Sequence, residues 1–119
     1  MPGLRLLPAV LAMTILVLQT VRPALAADPV VLTLTNNRFV PNEVTVPAGE
    51  RLRIEVRNQD GTPAEFESHD LRVEKFIAPQ GQIAVMVGPL KPGTYKFFDD
   101  YHPKTATGTL TAVMKSGSE

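Results

Sequence analysis

The stretch RLRIEVR (Arg51–Arg57) indicates the fold class of this chain of 119 residues. Its apolar residues, Leu52, Ile54 and Val56, alternate with charged residues at every second position. Because successive side chains of a strand point to opposite faces, this period of two predicts a strand with one buried and one solvated face. Such a strand is typical of an antiparallel sheet that packs one face on a core.

Extended runs lie on both sides of this stretch, and turns rich in proline, glycine, asparagine and aspartate separate them. No long segment has the helical period of about 3.6 residues. About seven or eight short strands at this spacing predict an all-β fold, a Greek-key β-sandwich. The other predicted strands are Val30–Thr35, Glu43–Val46, Ala64–Ser68, Leu71–Ile77, Gln82–Gly88, Thr94–Phe98 and Thr107–Met114.

The N-terminal segment has the pattern of a secretory signal peptide. Arg5 gives a basic start, an apolar run covers Leu6–Val21, and Ala24-Leu25-Ala26 has the A-x-A form that signal peptidases cleave. An uncleaved N-terminal anchor is the alternative, although the run is short for a membrane span. We therefore expect a signal peptide at residues 1–26, a domain at 27–115, a polar tail at 116–119 and a location in the periplasm, with no membrane-embedded part after cleavage.

Charge and cysteine content exclude several classes of function. Without the predicted signal peptide the chain has ten basic and twelve acidic residues, a formal charge of −2. This balance gives no basic surface for nucleic acid. The chain has no cysteine, which excludes disulfides, iron–sulfur clusters and thiolate-bound copper or zinc. Any bound metal must take histidine, carboxylate, methionine or backbone oxygen as its ligands.

Glu65, Glu67 and His69 occupy alternate positions of the stretch AEFESHD. In an extended chain these three side chains share one face, and Phe66 points the other way, into the core. Three potential metal ligands on one face are more than a solvated strand needs, although glutamates are also common on a wet face. A bulge at Ser68 would turn His69 away from the two glutamates.

A second polar group, Asp99, Asp100 and His102, lies in the stretch FFDDYHP, directly after a predicted strand. Acidic pairs in loops are often only turn or cap residues. However, both histidines of the chain lie beside acids in these two stretches. The two interpretations that remain are an acidic surface and a metal site built from both groups. A serine hydrolase is not indicated, because the sequence neighbours Ser68-His69-Asp70 point apart on a strand.

Two long stretches resemble the halves of a cupredoxin-like domain: NNRFVPNEVTVPAGERLRIEVRNQDGTPAEFES and GPLKPGTYKFFDDYHPKTATGTLTAV. In copper-binding members the second half carries Cys-x-x-His-Pro, then Met, then Gly. Here Asp99 stands at the cysteine position, His102 matches the histidine, and Pro103 and Gly108 fit the frame. The methionine is missing, and the upstream histidine position falls near Ala64 or Glu65.

These departures change the metal chemistry that the resemblance implies. A blue-copper centre needs the thiolate, so long-range electron transfer of the plastocyanin kind is not expected. Carboxylate and imidazole ligands suit Cu(II) of the ordinary tetragonal type, iron or manganese. We therefore expect copper or iron, with Glu65, Glu67, Asp99, Asp100, His102 and His69 as candidate ligands. Glu74 and Lys75 are expected to form either a pair that orients these ligands or a surface ion pair of little weight.

Within the cupredoxin-like domains, the chain resembles the periplasmic components of bacterial iron-uptake systems, such as the ferrous-iron transport systems. Glu65, Glu67 and Asp99 match polar residues of that group. The resemblance implies action beside an inner-membrane iron permease and other periplasmic uptake components. The resemblance is compatible with two roles for the protein, a metal carrier and an enzyme that oxidises Fe(II). The alternative is a metal-free interaction module of a membrane transport complex.

Overall fold

Nine β-strands form the domain in the part of the chain that the computed structural model describes, which is residue 3, residues 14–18 and residues 28–115. The predicted tail and most of the predicted signal peptide lie outside these residues, so both remain predictions. Among the described residues, no helix is long and apolar enough to cross a membrane. The strands are β1 Val30–Thr35, β2 Arg38–Val40, β3 Glu43–Pro47, β4 Leu52–Asn58, β5 Ala64–Ser68, β6 Val73–Ile77, β7 Gln82–Val87, β8 Gly93–Asp99 and β9 Thr107–Val113.

The strands form two sheets that face each other across one core. The first sheet has the order β2-β1-β4-β7 and the second has the order β3-β9-β8-β5-β6. The predicted all-β sandwich is therefore confirmed. Both sheets are mixed, because β1 runs parallel to β4 and β3 runs parallel to β9, while the other pairs are antiparallel. Both parallel pairs follow from connections that pass between the sheets instead of turning back within one.

The strand at residues 51–57 has the predicted orientation. Leu52, Ile54 and Val56 are buried, and Arg53 and Arg57 are exposed. The strand β2 was not predicted, because three residues are too short to show a period. It follows a two-residue turn at Asn36-Asn37, where both residues have positive φ. Asparagine tolerates this conformation better than most residues, which suits it to a tight hairpin.

Three phenylalanines form the centre of the core. Phe39 packs edge-on against Phe97 with ring centroids 5.0 Å apart, and against Phe66 at 6.1 Å. Gly108 on β9 makes room for this packing, because a Cβ atom there would lie 2.4 Å from Phe97 Cζ and 2.6 Å from the carbonyl oxygen of Asn42. The inner face of the second sheet is thus tightly packed around aromatic rings. This packing holds β5 and β8, and the polar groups that these strands carry, in fixed positions.

Candidate metal centre

Strand β5 presents two glutamates on the outer face of the second sheet. Glu65 and Glu67 are half-buried, while Phe66 between them is 0% exposed on the inner face. The side chains therefore alternate as predicted. Burial of Phe66 fixes the register of the strand, because a shift by one residue would bring both carboxylates into the core.

Asp100 joins these two glutamates from the end of β8. Its backbone N–H donates to the carbonyl oxygen of Glu65 at 3.0 Å, which holds the start of the loop against β5. Glu65, Glu67 and Asp100 each offer a carboxylate oxygen, and these oxygens all lie within 4.8 Å of one another. We refer to these three side chains as the carboxylate cluster. Glu65 and Glu67 lie in the stretch AEFESHD, and Asp100 lies in the stretch FFDDYHP.

Glu74 on β6 adds a fourth carboxylate beside the cluster. It lies directly opposite Glu67 in the β5–β6 register. The pKa of Glu65 is raised above its ordinary value of 4.5, first by a hydrogen bond with the carboxyl of Glu74 and then by desolvation and by the charges of Glu74, Asp100 and Glu67. Desolvation, followed by the charges of Asp100 and Glu74, raises the pKa of Glu67. The site is thus a patch of like charges that resists full ionisation.

The predicted pairing of Glu74 with Lys75 is wrong. Lys75 lies opposite Phe66 in the register, so it projects from the other side of β6. Adjacent residues of a strand point to opposite faces, and this separates the ammonium from the carboxylate. Glu74 therefore adds negative charge to the patch without a cation from its neighbour.

Tyr101 borders the carboxylate cluster on the loop after β8. Desolvation raises the pKa of its phenol, and the charge of Glu65 and a hydrogen bond to the Glu65 carboxylate raise it further. The position of this tyrosine beside the site was not predictable, because the approach of the loop to β5 is not visible in the sequence.

His69 lies at the margin of the cluster. Its Nε2 atom is 3.8 Å from Glu67 Oε1, its ring centroid is 5.6 Å from that of Phe98, and its side chain is 78% exposed. Two hydrogen bonds to Lys96 of β8 hold the neighbouring backbone in place. The Ser68 hydroxyl donates to the Lys96 carbonyl oxygen at 2.6 Å, and the Lys96 N–H donates to Asp70 Oδ2 at 2.8 Å. His69 therefore lies beside Glu67 and outside the group of three converging carboxylates.

Asp99 and His102 lie outside the carboxylate cluster and form a pair of their own. Asp99 is 1% exposed and lies opposite Phe66, on the inner side of the sheet. Its Oδ1 atom accepts the N–H groups of Glu65 and Tyr101 at 2.9 and 3.1 Å, and its Oδ2 atom is 2.9 Å from His102 Nδ1. The structure therefore brings Glu65, Glu67 and Asp100 together, with His69 nearby, and separates Asp99 and His102 from them.

The raised pKa values predict a pH dependence of stability in the metal-free protein. A carboxyl whose pKa is higher in the folded state than in the unfolded chain contributes stability in acid, and this contribution is lost as the pH rises through the folded value. Glu67→Gln should therefore raise the urea midpoint of unfolding at about pH 7 and leave it nearly unchanged below about pH 4. The matched control is Glu43→Gln, on an exposed glutamate of β3. An equal effect of Glu67→Gln at both pH values would contradict the electrostatic account.

The protein has two mixed sheets around an aromatic core, and a loop that carries a histidine follows its penultimate strand. These features define a protein of the cupredoxin class. The family model of the cupredoxin-like domain matches residues 8–112. The chain therefore belongs to the cupredoxin-like domain family. The fold predicted from the resemblance is confirmed.

Individual relatives extend this comparison. An uncharacterized protein of Rickettsia prowazekii (strain Madrid E) is 44% identical over 79 residues, which are 66% of this chain and 63% of that protein. The structure of amicyanin from Paracoccus versutus matches with a TM-score of 0.58 and 18% identity, over 76% of this chain and 86% of that one. A Cu-containing nitrite reductase from Thermus scotoductus matches with a TM-score of 0.61 and 18% identity, over 79% of this chain and 24% of that one. At these identities the two structures show the fold alone.

The thiolate copper centre of cupredoxins does not fit the residues of this chain. There is no cysteine, and the aspartate at the strand end already accepts two backbone N–H groups and lies 2.9 Å from His102 Nδ1. The carboxylate cluster, by contrast, fits a metal ion that accepts oxygen ligands, because its three oxygens converge and their side chains are held by the sheet.

Proposed function

We propose that this protein binds copper or iron at the carboxylate cluster and assists iron uptake in the bacterial periplasm. The observation that carries the proposal is the convergence of Glu65, Glu67 and Asp100, whose ligand oxygens lie within 4.8 Å of one another. Two of these side chains come from β5 and the third from the loop after β8, so the fold places them together. Like charges at close range are unfavourable, and a bound cation would offset this cost.

A bound cation would relieve the repulsion within the cluster. The neighbouring carboxylates contribute to the raised pKa values of Glu65 and Glu67, and a positive ion between them would favour their ionised forms. Carboxylate ligands with His69 at the margin suit Cu(II) or Fe(III). Hard oxygen ligands bind Fe(III) in preference to Fe(II), so the site would draw bound iron toward its oxidised form. Copper is supported by the fold shared with the Cu-containing nitrite reductase.

The role in iron uptake is supported by sequence resemblance. The pattern of Glu65 and Glu67 beside an Asp-Asp-Tyr-His loop is similar to periplasmic components of ferrous-iron transport systems. The A-x-A pattern ending at Ala26 supports export. The partner we propose is an inner-membrane iron permease, to which the protein would deliver its metal. Nothing in its charge favours nucleic acid as a partner.

Metal titration of the purified mature protein tests this function. We expect Cu(II) to bind with a stoichiometry of one ion per chain in calorimetry and to raise the melting temperature as its concentration increases, because a ligand of the folded state stabilises by mass action. Fe(II) added with oxygen then separates two activities. Turnover beyond one equivalent indicates a ferroxidase, and a single stoichiometric response indicates a carrier. If neither copper nor iron gives heat or a thermal shift, the proposal is wrong, and the result favours the alternative, a metal-free interaction module.

A further inference from the structure

The outer face of the first sheet carries three arginines. Strand β4 turns Arg53 and Arg57 outward, because the alternate residues of this strand are buried against the core. Arg38 of β2 points the same way, since Phe39 beside it is buried. The side chains of Arg53 and Arg57 are about half exposed, and Arg38 is exposed as well. We refer to this outer face of the sheet β2-β1-β4-β7 as the arginine face.

The arginine face has a positive charge. In its four described strands Glu55 is the only acidic residue. Its carboxylate is shared, because it accepts from Arg53 Nε at 3.2 Å and from Arg57 Nη2 at 3.5 Å. Asp60 lies in the turn beyond the end of β4 and is engaged by the backbone N–H groups at 36 and 37. Three arginines and one glutamate therefore leave a formal charge of +2 on this face.

The outer face of the second sheet has the opposite sign. Lys96 on β8 points outward there, since Phe97 beside it is buried. Four glutamates share this face in the register of the strands, which leaves a formal charge of −3 before Asp100 is added. The small net charge of the chain thus conceals a separation of charge across the sandwich. The four glutamates are Glu43, Glu65, Glu67 and Glu74.

Two exposed apolar side chains lie among the arginines. Met86 of β7 is directly opposite Arg53, and it is 50% exposed. Val40 of β2 is 56% exposed and shares a row with Arg57, because both pair with Thr33 of β1. Guanidinium groups bind phosphate oxygens, and apolar side chains favour the boundary between headgroups and acyl chains. The combination on a broad sheet face matches the surface of an anionic bilayer.

We propose that the arginine face docks reversibly on a membrane of anionic phospholipids and thereby turns the carboxylate cluster toward the solution. A second copy of the chain is a less suitable occupant. Contact between the arginine face of one copy and the acidic face of the next is heterologous, so it would repeat without closing and build open chains. A membrane binds the face without such growth. The proposal goes beyond metal binding and does not depend on it.

Sedimentation with lipid vesicles tests this proposal. The exported protein, purified after signal cleavage, is mixed with vesicles of phosphatidylglycerol or of phosphatidylcholine, with a chelator present so that no metal forms a bridge. At about 0.1 M salt, where charges are screened over about 10 Å, we expect binding to the phosphatidylglycerol vesicles and little binding to the phosphatidylcholine vesicles. At about 0.5 M salt the binding should be largely lost, because its electrostatic part is screened.

Three variants locate the docking surface. Because an arginine near an anionic surface strengthens binding roughly fivefold, the double variant Arg53→Gln, Arg57→Gln should weaken binding by about tenfold or more. Glu55→Gln should instead strengthen it severalfold, since this substitution removes the one acid of the same face. Lys96→Gln is the matched control, because it removes a cation from the opposite face. It should leave the affinity within about twofold of the wild-type value.

Several results would overturn the proposal. One is a wild-type protein that does not bind phosphatidylglycerol vesicles, or that binds both lipids equally. Equal losses in Lys96→Gln and in the double arginine variant would show a response to net charge alone. An unchanged affinity in Glu55→Gln would show that the face is not in contact with lipid. Oligomers without lipid that the double arginine variant disperses would assign the face to a second copy. Failure of the metal titration would leave all these results unaffected.

Discussion

Replacing Phe66 with alanine should lower the free energy of unfolding by about 3–5 kcal/mol, as expected when a large aromatic side chain is removed from a core. Phe66 is 0% exposed, and its ring centroid lies 5.7 Å from that of Phe97 and 6.1 Å from that of Phe39. The cavity cannot close easily, because the sheet on either side is fixed by backbone hydrogen bonds. Urea unfolding of the two proteins at the same pH measures the difference.

Phe76→Ala is the matched control for this substitution. Phe76 is the same residue type on the neighbouring strand β6, but it is 59% exposed on the outer face. Its replacement should change stability by about 0.5 kcal/mol or less, as is usual for surface positions. Similar losses for the two variants would contradict the assignment of Phe66 to the centre of the core. Since Phe66 also sets the register of Glu65 and Glu67, we expect its replacement to weaken metal binding as well.

Removing the charges of Glu65 and Glu67 together should lower the affinity of the folded protein for Cu(II) by about a hundredfold or more. Loss of a group that only orients a metal ligand typically lowers metal affinity by about 10–100-fold, so loss of two direct ligands should have at least this effect. The double variant Glu65→Gln, Glu67→Gln keeps side-chain size and reduces repulsion in the metal-free protein. Calorimetric titration at neutral pH measures the affinity.

The control for this effect is Glu43→Gln, which removes a charge from β3 of the same sheet. It should leave the affinity for Cu(II) within about twofold of the wild-type value, because the charge of an exposed residue is screened within about a Debye length. Equal losses in the double variant and in this control would mean that copper responds only to the net charge of the protein. In that case the carboxylate cluster would not be the binding site.

Local alternation made most of the fold predictable. The strict pattern of Leu52, Ile54 and Val56 and the pattern of Glu65, Phe66 and Glu67 both require one buried and one solvated face, and both were assigned correctly. The parallel pairing of β1 with β4 was not predictable, since it depends on which strands meet across the sandwich. The turn at Asn36-Asn37 contained a hairpin signal that would have indicated β2, because asparagine is common where φ is positive.

The candidate site was predictable only in part, because its contacts join distant parts of the chain. Asp100 reaches β5 and Glu74 lies opposite Glu67 through pairings between strands, which a single sequence does not show. The orientation of Asp99 did have a local signal. Phe97 is buried and Phe98 lies on the outer face, so the same alternation places Asp99 inside. A charged residue at an inward position is expected to have fixed hydrogen-bonding partners, and Asp99 has them.

Anomalous X-ray scattering from crystals soaked in Cu(II) gives the most direct test of the carboxylate cluster as a metal centre. We expect a copper peak between Glu65, Glu67 and Asp100, with carboxylate oxygens at the ordinary coordination distance of about 2 Å. Small shifts of these side chains would achieve this, because their oxygens already lie within 4.8 Å of one another. Well-ordered carboxylates with no copper peak between them, or a peak only beside Asp99, would contradict the account.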